Sequence, residues 1–142
     1  MHVKTIRLIL GDQLNRKHSW FEEVDKEVLY VLMECRSETD YVRHHIQKVV
    51  AFFLSMRNFA RELQDSSHSV RYIHLNDPGN QQSFTGNLKT LLEETGASGL
   101  ECMLPDEWRL DKEFKSFESE LGVPVNLVDS EHFLTERDFL GK

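Results

Sequence analysis

A three-layer α/β sandwich on a mostly parallel five-stranded sheet is the fold this sequence predicts, and three observations predict it. Short β-rich apolar segments alternate along the chain with segments of helical period. The second strand segment is apolar almost without a break, as a strand covered on both faces must be. The chain has 142 residues, 39% hydrophobic and 29% charged, the size and composition of one ordinary globular domain.

Each element has its own signal. A first strand over Thr5–Leu10 is apolar and stops at Gly11. A polar, irregular stretch with Asn15, His18, Trp20 and Phe21 leads to a second strand, Glu27–Met33. Thr39 or Asp40 then caps a helix of about 24 residues, whose apolar face is Val42, Ile46, Val49, Val50, Phe53, Met56, Ala60 and Leu63. Phe52 and Phe59 form a neighbouring stripe, and Ser66-Ser67 ends the helix. Ser69–Leu75 reads as a third strand, closed by the turn Asn76-Asp77-Pro78-Gly79-Asn80. A helix over Ser83–Thr95 follows with Gly96 as its C-cap, then a strand over Leu100–Leu104 stopped by Pro105. Asp111 is the expected cap of the next helix, which presents Phe114, Phe117 and Leu121 and ends at Gly122. Val125–Val128 makes the fifth strand. The pattern requires right-handed crossovers but leaves the strand order open.

Composition excludes several classes. No apolar run approaches the roughly 18 residues that span a bilayer. The first ten residues carry Lys4 and Arg7 in an apolar strand pattern, where a secretory signal would have an uncharged core, so a cytosolic address is expected. Cys35 and Cys102 are too few for a four-cysteine zinc or iron–sulfur site and read as reduced, partly buried thiols, with a disulfide or catalytic thiol as the alternative. Seventeen basic against 24 acidic residues leave a net charge of −7, which repels DNA from the surface as a whole.

Parallel sheets bind ligands beyond the carboxyl ends of their strands. Here those ends carry Gly11-Asp12-Gln13, Met33-Glu34-Cys35-Arg36, His74 to Asp77, and Asp106-Glu107-Trp108-Arg109. There is no glycine-rich phosphate turn, and Asp12 and Glu34 repel phosphate. The acids suit a ligand rich in O–H and N–H donors: a polyol, a ribityl chain or a heteroaromatic ring. Plainer roles stand beside this one. Asp12 can satisfy local turn amides. Glu34 and Glu38 can pair with Arg36, Arg43 or a helix amide, and Tyr41 can cover a sheet edge. His44 and His45 diverge by about 100° on a helix, too far apart to chelate one metal. A receiver domain needs paired acids after the first strand, and Asp12 is followed by Gln13. Trp108 is expected in core or edge packing.

Taken in order, the segments resemble a known family. They are Leu8-Ile9-Leu10-Gly11-Asp12-Gln13-Leu14, Met33 to Glu38, Tyr41-Val42-Arg43-His44-His45 with Lys48, and Met56-Arg57 with Phe59-Ala60. Val70-Arg71-Tyr72, Ser83-Phe84, Glu107-Trp108-Arg109 and Phe133-Leu134 follow. The pattern is similar to the N-terminal part of the deoxyribodipyrimidine photolyase-related proteins, the iron–sulfur bacterial cryptochromes and (6-4) photolyases. The resemblance covers essentially the whole chain. It implies a Rossmann-like antenna domain holding 6,7-dimethyl-8-ribityllumazine, which passes excitation energy to FAD. The pocket it implies involves Gly11, Asp12, Gln13, Met33, Glu34, Glu38 and Tyr41, with Phe52 on the helix wall.

Two departures qualify it. The family has an acid before the proline of its fourth-strand motif, and here that residue is Leu104. The family's FAD site, 4Fe-4S cluster, electron relay and DNA contacts belong to a helical C-terminal domain that this sequence does not contain. The expected division is therefore an antenna domain over 1–136 and the start of a linker over 137–142, with the apolar tail Phe139-Leu140 at the boundary. The competing expectations are a stand-alone enzyme or sensor using Asp12 and Glu34 as acid and base, and an interaction module using the tail.

Overall fold

In a computed structural model of the chain, the residues described are 2–40 and 42–131. Strands β1 (Thr5–Leu8), β2 (Val28–Met33), β3 (Val70–Ile73), β4 (Gly99–Met103) and β5 (Val125–Val128) form one sheet in the order β3-β2-β1-β4-β5. Every pairing is parallel. Each strand lies within or beside its expected segment. Helices α1 (Arg36–Thr39), α2 (Ile46–Asp65), α3 (Phe84–Thr95) and α4 (Trp108–Leu121) complete the fold, with a 3-10 turn at Ser19–Phe21.

The period-two alternation of β2 explains its unbroken apolar run. Leu29, Val31 and Met33 face the layer of α3 and α4, packing with Phe84, Leu88, Leu91, Phe114 and Phe117. Val28, Tyr30 and Leu32 face the other way, against Phe53, Met56, Phe59 and Leu63 of α2. All six residues of β2 are buried. Each such side chain contributes roughly 1.5–3 kcal/mol by leaving water.

The stretch between β1 and β2 replaces a crossover helix. Trp20 and Phe21 join the α2 layer, fixed by His18, whose Nδ1 accepts from the Trp20 amide at 3.1 Å. The Tyr30 hydroxyl donates to the Trp20 carbonyl at 2.6 Å, and the Arg7 guanidinium lies 4.9 Å from the Trp20 ring. Steps from β1 to β2 to β3 thus run on one face, and steps from β3 through α3 to β4 and α4 to β5 run in the opposite direction on the other. A single crossover hand requires this arrangement.

Three expectations need correction. The long helix starts at Ile46, not near Asp40. The Thr39 hydroxyl donates to the Arg36 carbonyl and Asp40 pairs with Arg36 at 3.2 Å, so both residues close the single turn α1. His45 caps α2, its Nδ1 accepting from the Gln47 amide at 3.2 Å. The buried face of α2 is accordingly Phe53, Met56, Phe59, Ala60 and Leu63, while Val42, Ile46 and Val50 are exposed. Secondly, Glu107 and not Asp111 stands at the N-cap of α4; Asp111 lies in its first turn and pairs with Lys115 at 2.8 Å. Its charge still complements the helix dipole there. Thirdly, Trp108 packs in neither core nor edge; it is 75% exposed, with the Lys112 ammonium 5.3 Å from its ring. Gly96 caps α3 and Gly122 ends α4 as expected, while Ser83, expected as the first helical residue, stands at the N-cap of α3. The tail with Phe133, Leu134, Phe139 and Leu140, and the 136/137 boundary, lie outside the described residues. Among the described residues, no helix is long and apolar enough to cross a membrane.

Candidate functional site

The direction of winding reverses between β1 and β4, and loops leaving these two strands part in opposite directions. A cavity of about 180 Å³ opens beside that point, at the carboxyl ends of the strands. Ile9 and Leu10 follow β1 and Met33 ends β2; Phe52, Phe53 and Met56 supply the α2 wall; Phe84 and Leu110 come from α3 and α4. Polar groups join this apolar lining: Asp12, Glu38, Thr39, His44, Lys48 and Glu107. An apolar chamber with a few convergent polar groups is the usual form of a small-molecule site.

Within Gly11-Asp12-Gln13 the three residues do different work. A Cβ on Gly11 would overlap the tip of the Phe52 ring, so glycine is what lets Phe52 of α2 close over the turn. Phe52, 39% exposed, thereby becomes part of the cavity wall. Asp12 lines the cavity and is exposed to solvent. Gln13 is buried and turned away. Its Oε1 accepts from the Leu10 amide at 3.1 Å, and its Nε2 donates to the carbonyls of Met103 and Leu104 at 3.3 and 3.4 Å. Gln13 therefore stitches β1 to β4 at the switch point and does not line the cavity.

Alternation continues past β2. Met33 lines the cavity, whereas Glu34 points to the α2 side and is 0% exposed. Its carboxylate accepts from Arg57 Nε at 2.6 Å and Nη2 at 3.0 Å, from the Tyr72 hydroxyl at 2.6 Å and from the Leu75 amide at 2.9 Å. Burial alone would push this carboxyl up, but the bonds from Arg57, Tyr72 and Leu75 hold it below the ordinary carboxylate range. The partner is Arg57, not the expected Arg36 or Arg43. All its acceptor positions are taken, so an acid–base role for Glu34 has no free lone pair to use. Cys35 turns back to the α3 side, where burial pushes its thiol up to about 12. Cys102 is buried in the same layer, and both thiols are free.

Glu38, on α1, does line the cavity. Burial pushes its carboxyl up, Arg109 opposes that, and Glu113 and Glu107 add to it. The Arg109 Nη2 stands 3.2 Å from each Glu38 oxygen, and its Nε donates to Glu107 at 3.0 Å. Although Glu107 occupies the N-cap of α4, its side chain makes no capping bond and goes to Arg109 instead. An acid thus holds the helix start where a phosphate would otherwise be favoured. The site fits a heteroaromatic ring against Met33, Phe52 and Leu110, with hydroxyl or ring N–H donors meeting Asp12, Glu38 and Glu107. Its volume is below the roughly 300 Å³ where whole-ligand pockets usually begin, so part of such a ligand would project from the mouth.

Of the expected site residues, the structure gathers Gly11, Asp12, Met33, Glu38 and Phe52 around one cavity and turns Gln13 and Glu34 into its supports. Tyr41 lies outside the described residues. Lys48 and His44 line the cavity and were not among those expected, and Glu107, expected at the strand ends but not as a pocket residue, lines it too. His44 and His45 do separate work, the first at the cavity and the second capping α2. Residues 42–45 precede α2 and are not part of it, which is what frees the two histidines from a shared helical face.

A profile of the deoxyribodipyrimidine photo-lyase-related protein family matches residues 7–142. A (6-4) photolyase of Agrobacterium fabrum is 36% identical over 129 residues, covering 90% of this chain. The same alignment covers 25% of that photolyase, so the chain spans about a quarter of its relative's length.

Proposed function

We infer a role for this domain from the premise that the chain belongs to the deoxyribodipyrimidine photo-lyase-related family. We propose that it is the antenna domain of a light-driven DNA-repair flavoprotein. Its cavity would hold 6,7-dimethyl-8-ribityllumazine, which when bound absorbs light and passes the excitation to FAD. The observation that carries this reading is the cavity itself: an apolar chamber at the switch point, rimmed by carboxylates where a nucleotide site would present free amides.

Met33, Phe52 and Leu110 would bind the ring by apolar contact, and Asp12 and Glu38 would accept hydrogen bonds from ligand hydroxyls or ring N–H groups. Enclosure by Phe52 and Phe53 would exclude water, which would otherwise quench the excited state and compete for those bonds. No residue here is assigned a catalytic step. In the whole protein, FAD, a 4Fe-4S cluster and the DNA contacts would lie in a helical C-terminal domain, with residues 1–136 as the antenna domain and 137–142 opening the linker. The parent reaction would be reversal of (6-4) pyrimidine photoproducts, in the cytoplasm.

Titrating the purified chain with the lumazine, and reading fluorescence polarisation, tests the proposal. Binding in the micromolar range or tighter is expected, weakened by Asp12→Ala and by Glu38→Ala. Absence of binding to the unaltered chain at concentrations well above micromolar defeats it.

A further inference from the structure

One guanidinium gathers three carboxylates at the α1–α4 side of the cavity. Arg109 contacts Glu38 through Nη2 at 3.2 Å to each oxygen, Glu107 through Nε at 3.0 Å, and Glu113 through Nη1 at 4.0 Å. Glu38 and Glu107 both line the cavity, and they come from different elements. The α1 turn is four residues long and is tied down at its start, where the amides of Arg36 and Ser37 donate to the Gln82 side chain and carbonyl. At its cavity end, the Arg109–Glu38 contact fastens it to α4.

We propose that Arg109 is a positioning residue for the ligand of this cavity, holding Glu38 and Glu107 at a set spacing along one wall. The fork geometry of arginine suits this work, because its nitrogens address separate carboxylates from one rigid plane. The proposal rests on the ligand-site reading above, and it adds a residue that acts through two lining carboxylates and does not itself line the cavity.

The charge balance gives Arg109 a second consequence. Burial pushes Glu38 towards its neutral form, and Glu107 and Glu113 of α4 push the same way, while Arg109 opposes all three. Glu113 is likewise raised by burial and lowered by Arg109. Across the cavity stand Asp12 after β1 and His44 and Lys48 from the α2 side. The Cys35 thiol, pushed up to about 12, stays neutral. With Arg109 removed, burial and two neighbouring acids act together, and Glu38 takes up a proton at higher pH. A protonated carboxyl offers one oxygen fewer to a ligand donor.

The test measures lumazine affinity by fluorescence polarisation between about pH 4 and 8, for the unaltered chain, Arg109→Gln, Arg109→Lys and Glu38→Gln. In the unaltered chain affinity falls as acid titrates Glu38. Arg109→Gln moves the midpoint of that fall up by about one pH unit, and weakens neutral-pH affinity about tenfold. Arg109→Lys retains a cation without the fork, so the midpoint stays near the original while affinity remains reduced. Glu38→Gln flattens the profile in the acid range. A midpoint in Arg109→Gln that coincides with the unaltered chain overturns the proposal. Should that variant fail to fold by circular dichroism, Arg109→Lys decides instead: affinity and profile equal to the unaltered chain overturn it. No binding to the unaltered chain removes the ligand-site reading itself, a different result from a profile that Arg109 does not move.

Discussion

The Arg57 guanidinium closes on the fully buried Glu34 carboxylate through two hydrogen bonds, 2.6 Å from Nε and 3.0 Å from Nη2. Tyr72 and the Leu75 amide complete the carboxylate's shell, so the end of β2, the middle of α2 and the exit of β3 meet at one ion. Glu34→Gln should cost about 2–3 kcal/mol in urea unfolding, discounted because Arg57 stays partly in water. The pH dependence has a defined sign. A carboxyl held below its unfolded value contributes stability above the ordinary carboxylate range, lost as pH falls through the folded value. The unaltered chain should therefore lose stability below about pH 4.3 more steeply than Glu34→Gln does. Equal slopes would show that Glu34 is not the ion described.

Gly11 and Phe52 are coupled by the absence of a side chain. Gly11→Ala drives a methyl against the tip of the Phe52 ring and should destabilise by about 1–3 kcal/mol, the usual range for overpacking. Phe52→Ala makes room, so the double variant should be more stable than the sum of the singles predicts. Strict additivity in a double-mutant cycle would contradict the contact.

Neighbours Asp12 and Gln13 should separate cleanly. Asp12→Ala, at an exposed residue, should leave stability within about 0.5 kcal/mol while weakening the ligand. Gln13→Ala removes hydrogen bonds from the Leu10 amide and from the Met103 and Leu104 carbonyls and should cost about 1–3 kcal/mol. Chemical denaturation run beside ligand titration reads both. If Asp12→Ala proves the more destabilising of the two, the division is wrong.

Both thiols should resist attack. Cys35 is 1% exposed with its thiol pushed up to about 12, and Cys102 is fully buried and pushed higher by desolvation. A thiol reagent at pH 8 should modify neither within minutes in the folded chain and both in denaturant. Rapid native labelling of either would contradict the packing around α3.

Element type and the placing of acids at strand ends were legible in the residues, because both depend on near neighbours. The apolar run Val28–Met33 could only be a strand covered on both sides, and Gly96 ends α3 by local capping chemistry. The long helix was misread at its start, because Thr39 and Asp40 are good capping types wherever they fall. Whether they begin a helix or close a turn depended on the carbonyl and side chain of Arg36. Glu34 shows a longer reach: its partner lies 23 residues away, across the α2 face, and no spacing rule identifies such a pair.

The turn Gly11-Asp12-Gln13, the alternation of strands and helices and the surplus of acids follow from sequence alone, since period, turn chemistry and charge are written residue by residue. Only the tertiary structure decided the order β3-β2-β1-β4-β5, the meeting of Glu38 with Arg109 71 residues on, and which acids face the cavity. Those are relations between segments brought together by core packing and crossover hand, and the local pattern of either segment carries no record of the other.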